Sequence, residues 1–158
     1  MAFPVGHLAR RFFGAVGARP LAPHEQDEVA RLLAPALADL FWRQAPVDQR
    51  HAYDVMRRAA GRTADPDVLA AALVHDVGKA GTPTNPIVRS FATVFDSLHI
   101  PLKGGMAEYR RHGERGAELL GAAGGSVLTV DFARRHPDPD PTPHDPASWA
   151  ILLNSDDI

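Results

Sequence analysis

The sequence predicts an all-α protein, a bundle of seven to eight helices. Apolar residues recur at three- and four-residue spacing in one segment after another. No stretch alternates polar and apolar residues as a half-buried strand would. Prolines and glycines punctuate the ends of several periodic stretches. The first element is Val5 to Val16, with Leu8, Phe12, Phe13 and Val16 on one side. A second region runs from His24 to about Gln44 on the stripe Val29, Leu32, Leu33, Leu37, Leu40 and Phe41, and Pro35 splits or kinks it. The third, Val47 to Ala60, opens after Pro46 and closes at Gly61. In the fourth, TADPDVLAAALVHD, Asp65 is the N-cap and Pro66 the first helical residue. Gly78 stands past its end, where helices often finish on a left-handed glycine.

Beyond the loop GTPTNP a fifth helix covers about Ile87 to Leu98. The stretch HIPLKGGMAEYRR is weakly periodic and glycine-bearing, so it reads as irregular and mobile, a candidate lid from His99 to Tyr109. Helix six is about Gly113 to Ala123, ending at two glycines, and helix seven about Ser126 to Arg135. HPDPDPTPHDP holds too many prolines to be helical. A last helix spans Ala147 to Asp157.

With 158 residues the chain is long enough to bury one real core, and no linker or internal repeat divides it. A formal charge of -2 gives no general reason to expect a nucleic-acid polymer or an anionic membrane as partner. The basic residues are nearly all arginine (Lys79 and Lys103 are the lysines), a bias that base composition explains as well as binding does. There is no cysteine, which excludes disulfides, zinc–thiolate sites, iron–sulfur clusters and a thiol nucleophile. Any metal must be held by imidazole and carboxylate, which suits Mn, Fe, Co, Ni or Zn. Arginines interrupt the apolar N-terminal run, leaving it too short and mixed for a signal sequence or a spanning helix, so a soluble cytoplasmic protein is expected. The Phe12/Phe13 and Leu40/Phe41/Trp42 clusters are most simply core; exposed copies would form a homodimer interface.

Chemistry concentrates at AALVHDVGKAG. His75 and Asp76 could be an ordinary helix end. Yet a helix C-terminus carries partial negative charge, and a carboxylate buried there needs a cation. Neighbouring helical residues point about 100° apart, so both reach metal only at a frayed end or in a broad, two-metal centre bridged by Asp76. His51 precedes His75 by 24 positions, and His112 precedes His136 by the same interval. Two helical hairpins would thus each offer two histidines, with Asp76 between them and Asp156 closing the shell.

These residues resemble the HD superfamily of metal-dependent hydrolases. The likeness runs from RHAYDV through ALVHDVGK to ILLNSDDI, about residues 47 to 158, the HD metal-binding domain; residues 1 to 46 match no motif and are read as helices packing on it. The resemblance implies a site of His51, His75, Asp76 and Asp156, extended to two metals by His112 in YRRHGERGAELL and His136 in FARRHPD. Two departures stand out. Many two-metal members have a His-His pair where Arg135 and His136 stand, and commonly Ala where Ser155 precedes the final Asp. Asp157 is the alternative to Asp156. The implied cofactor is two divalent ions, Fe or Mn first, with Zn, Co, Ni or Mg as alternatives. The implied activity is hydrolysis of a small phosphate mono- or diester, such as a nucleotide, by metal-activated water at Asp76. Lys79 would approach the substrate anion, and Arg110, Arg111 and Arg115 would complete its pocket. The rival is a diiron oxygenase of the same superfamily, resembling inositol oxygenase, and a third is a metal-stabilised regulatory module. Asp54, one turn beyond His51, either orients a ligand imidazole or lies on a solvated face.

Overall fold

Five of the seven described helices begin on proline: α1 Pro23–Leu32, α2 Pro35–Trp42, α3 Pro46–Ala60, α4 Pro66–Val74 and α7 Pro146–Asp156. The first residue of a helix has no intrahelical partner for its N–H, so proline loses nothing there and its fixed φ suits the turn. The computed structural model describes residues 19–80, 111–136, 143 and 145–156. The two remaining helices are α5 His112–Ala122 and α6 Val127–Arg135, and a short 3₁₀ turn, Val77–Lys79, follows α4. No strand occurs among the described residues. The proposed helices at Val5–Val16 and Ile87–Leu98 fall outside them, as does the candidate lid.

Side chains seal several helix starts. Asp65 accepts from the Asp67 N–H at 2.9 Å, Ser126 from the Thr129 N–H at 3.2 Å, and Asp145 from Ala147 and Ser148, both at 3.1 Å. Pro35 splits the second region in two, because the chain must leave the helix before it can restart on proline.

Helix α4 is the axis of the fold. Every residue from Val68 to Val74 is buried, with no polar face, as expected of a helix enclosed on all sides. It packs against α1, α2, α3, α6 and α7, while α5 pairs with α6 and with the 3₁₀ turn. Burying Val68, Leu69, Leu73 and Val74 contributes on the order of 2 kcal/mol each. The core is continuous from Leu21, Val29 and Phe41 through Met56 and Leu73 to Phe132, Trp149 and Leu152. Leu40 and Phe41 belong to that core; Trp42 is partly exposed at its edge. Among the described residues no helix is long and apolar enough to cross a membrane.

One local expectation is corrected. Helix α4 ends at Val74, not at Gly78, and Gly78 lies inside the 3₁₀ turn. Among the described glycines it is Gly124, after α5, that has a positive φ (79°). What Gly78 supplies is missing bulk. A Cβ there would lie 2.7 Å from the Gly116 nitrogen, 2.8 Å from the His112 carbonyl carbon, and nearer still to the His112 oxygen. The glycine lets the start of α5 lie directly against the turn that carries the His-Asp doublet.

Candidate metal centre

Five elements deliver side chains to the end of α4. His51 comes from the second turn of α3, and His75 and Asp76 follow the last residue of α4. His112 is the first residue of α5, His136 the C-cap of α6, and Asp156 the last residue of α7. Asp76 sits at the middle. Its Oδ2 lies 3.5 Å from His75 Nε2 and also pairs with Lys79 Nζ. Its Oδ1 faces the other way, 3.6 Å from His112 Nε2 and 3.5 Å from His136 Nε2. Asp156 Oδ1 lies 3.0 Å from His51 Nε2 and 3.6 Å from His75 Nε2. The two oxygens of Asp76 thus face different histidines, His75 on one side and His112 with His136 on the other, while His75 and His136 themselves lie ring against ring, 4.9 Å between centres.

The histidines are oriented from behind. His75 Nδ1 lies 2.8 Å from the Ala72 carbonyl and His136 Nδ1 lies 2.9 Å from the Phe132 carbonyl. A carbonyl oxygen only accepts, so each Nδ1 carries the hydrogen, and a neutral ring then presents a lone pair at Nε2. Both Nε2 atoms point at carboxylate oxygens, which are acceptors too. Gaps of 3.5 and 3.6 Å are too long for good hydrogen bonds. Consistently, His75 Nε2 and Asp76 Oδ1 are buried and hold no hydrogen bond. Ring nitrogens and carboxylate oxygens brought this close are unfavourable unless a cation, a metal ion or a proton on the ring, lies between them. Three overlapping groups have donor atoms within 4.8 Å of one another: His51/His75/Asp76, His75/His136/Asp156 and Asp76/His112/His136. These buried His/Asp clusters could hold metal ions.

Proton affinities follow the same crowding. Burial is the largest influence on His75 and disfavours its charge, but Asp76 and Asp156 outweigh it and raise the imidazole to about 9. Burial likewise pushes the Asp76 carboxyl up, yet Lys79, His75 and His136 hold it well below the usual range. Asp156, pushed up by burial, is held low by His75 and His51. Side-chain exposure rises from 1% at His75 and 2% at Asp76 to 19% at His112 and 34% at His51, so the doublet is sealed while these two histidines reach toward solvent.

The aromatic surroundings were not singled out from the sequence. Phe132 stacks on His136 (5.1 Å between ring centres, 26°), and Trp149 meets the edge of Phe132 at 5.1 Å. Their signal was available: Phe132 stands four residues before His136, one helical turn. Arg135, at the place of the missing second histidine, turns away from the centre, pairing with Asp131 and lying over the Trp149 ring. Asp54 pairs with Arg50 at 3.6 Å and is about half exposed, which is the solvated-face reading. Arg111 and Arg115 are exposed, and among the described residues neither joins a contact of the centre. Arg110 and Asp157 lie outside the described residues.

Among the described residues, fold and centre together define a helical arrangement whose buried histidines and aspartates could hold metal ions. Comparison of the chain with family models, with curated proteins and with solved structures finds no match.

Proposed function

We propose that the chain is a metal-dependent phosphohydrolase of the HD type, acting on a small phosphate mono- or diester such as a nucleotide. The observation that carries this reading is the pair of buried, unsatisfied acceptors, His75 Nε2 and Asp76 Oδ1, at the point where five elements converge. His51, His75, Asp76 and Asp156 would hold one divalent ion, and Asp76, His112 and His136 a second. Ions bound there would supply Lewis acidity, polarising a phosphoryl oxygen and bringing water toward its hydroxide form at neutral pH.

The chain's own groups do the rest. His75 and His136 are held in the ligating tautomer by the Ala72 and Phe132 carbonyls. Charge favours an anionic substrate. Asp76, Asp156 and Lys79 together carry one net negative charge, which a single divalent ion turns positive and two make strongly so. Lys79 stands at the partly exposed edge of Asp76, where its ammonium can meet a substrate anion.

The test is anaerobic turnover of a broad phosphate-ester panel with Mn²⁺ or Fe²⁺. Release of phosphate or nucleotide, abolished in Asp76→Asn, is the expected result. A flat panel together with O₂ uptake on an organic substrate would replace hydrolysis by the oxygenase reading. Metal binding with no turnover of either kind would leave a regulatory module.

A further inference from the structure

Asp156 is an anion on the last turn of α7, where the helix's free carbonyls already carry partial negative charge. Left alone, that turn would fray and its carboxylate would wander. Two contacts oppose this. The Ser155 hydroxyl, fully buried, donates back to the Ile151 carbonyl at 2.7 Å. The Ser155 carbonyl, one bond from Asp156, accepts from Arg58 Nε at 2.6 Å, a contact spanning 97 residues of sequence. Arg58 and His51 stand seven residues apart on α3, two turns along one face. One face of α3 therefore grips Asp156 twice: His51 meets its carboxylate at 3.0 Å, and Arg58 holds the backbone just before it.

We propose that Arg58 is a positioning residue for the metal centre: by clamping the Ser155 carbonyl it fixes the α7 terminus so that the Asp156 carboxylate faces His51 and His75. The inference rests on the metal-binding reading given above, and it adds a role for a residue that touches no ligand atom. Positioning and simple electrostatics have opposite signs here. Removing a cation near a metal site should strengthen metal binding by charge alone. Removing a clamp should weaken it.

The experiment compares wild type, Arg58→Met, Arg58→Lys, Asp156→Asn and the Arg58→Met/Asp156→Asn double variant. Mn²⁺ affinity is measured by chelator competition, and amide hydrogen exchange on the metal-free proteins. Arg58→Met keeps the apolar stem and loses the donor; it should weaken Mn²⁺ binding about 10- to 100-fold, as loss of an outer-shell partner does. It should add little in the Asp156→Asn background, since the carboxylate it serves is gone. Exchange should rise at least about tenfold at Leu152–Asp156 and stay unchanged in α1. Arg58→Lys, the gentler variant if the methionine destabilises the fold, should fall between. Unchanged or tighter Mn²⁺ binding in Arg58→Met, or an equal loss in the Asp156→Asn background, would overturn the proposal. A wild type that binds no Mn²⁺ would refute the metal reading instead, and the exchange at α7 would still show whether Arg58 clamps it.

Discussion

Gly78→Ala is the most searching small change available. If Gly78 serves close approach, the added Cβ drives straight into the backbone of α5: the Gly116 nitrogen at 2.7 Å, the His112 carbonyl carbon at 2.8 Å, and the His112 oxygen nearer still. Ordinary contact begins near 3.4 Å and the His112 oxygen lies closer than either of these atoms, so the 3₁₀ turn and the start of α5 must part by well over about 0.7 Å. Neither neighbour is the flexible tip of a side chain that could swing aside. Overpacking of this kind costs about 1–3 kcal/mol, and a collision with helix backbone, which cannot swing aside, places it near 3. For a chain of this size that is a drop in Tm of roughly 6–12 °C. The displacement also acts on the centre, because the turn carries Asp76 and α5 begins at His112, whose contact spans 3.6 Å. Thermal unfolding and Mn²⁺ competition should therefore both register the change. Gly121→Ala is the matched control: it lies inside α5 with nothing within 4 Å of an added Cβ. That variant should gain up to about 1 kcal/mol from helix propensity and bind metal normally. A Gly78→Ala protein with wild-type Tm and metal affinity would refute the close-packing argument.

Further outcomes follow from the same geometry. Asp76→Asn keeps the shape but removes the charge shared by both halves of the centre, so metal affinity should fall by more than the roughly 100-fold typical of an outer-shell loss, as isothermal titration would show. In the metal-free protein His75 is raised to about 9, so its stabilising contribution is complete below about 6.5 and lost as pH rises through 9. Metal-free Tm should decline across that window, and a flat or rising profile would contradict it. Asp76 and Asp156, held low, contribute above the ordinary carboxylate pKa and lose that contribution only as pH falls well below it, so acid should unfold the protein late. Ser126→Ala removes the α6 cap and should cost about 1 kcal/mol in urea unfolding while leaving metal affinity unchanged.

What the sequence revealed, and what it hid, divides along physical lines. Helix starts were legible because proline at a first helical position leaves a one-residue signature; Pro35, Pro46 and Pro66 mark boundaries directly. The metal-ligand candidates were legible because imidazoles and carboxylates at helix ends are unusual enough to be noticed together. Gly78 was misread for a definite reason. A glycine needed for left-handed φ and one needed for close approach look identical in sequence, and the deciding partner, the His112 backbone, is 34 residues away. That Asp156 faces His51 and His75 depends on how its helix is held, which involves a carbonyl and an arginine 97 residues apart. Arg111 and Arg115 illustrate the opposite limit: proximity to His112 in sequence does not bring a side chain to the centre, since successive helical residues point in different directions.

If the His/Asp clusters exist to hold metal, the ions should travel with the protein. Elemental analysis of protein purified without a chelating tag, beside Asp76→Asn prepared identically, decides the matter. The wild type should carry close to two divalent ions per chain, iron or manganese foremost, and the variant near none. Wild-type protein without bound metal, even after incubation with Mn²⁺ or Fe²⁺, would contradict the metal-binding reading.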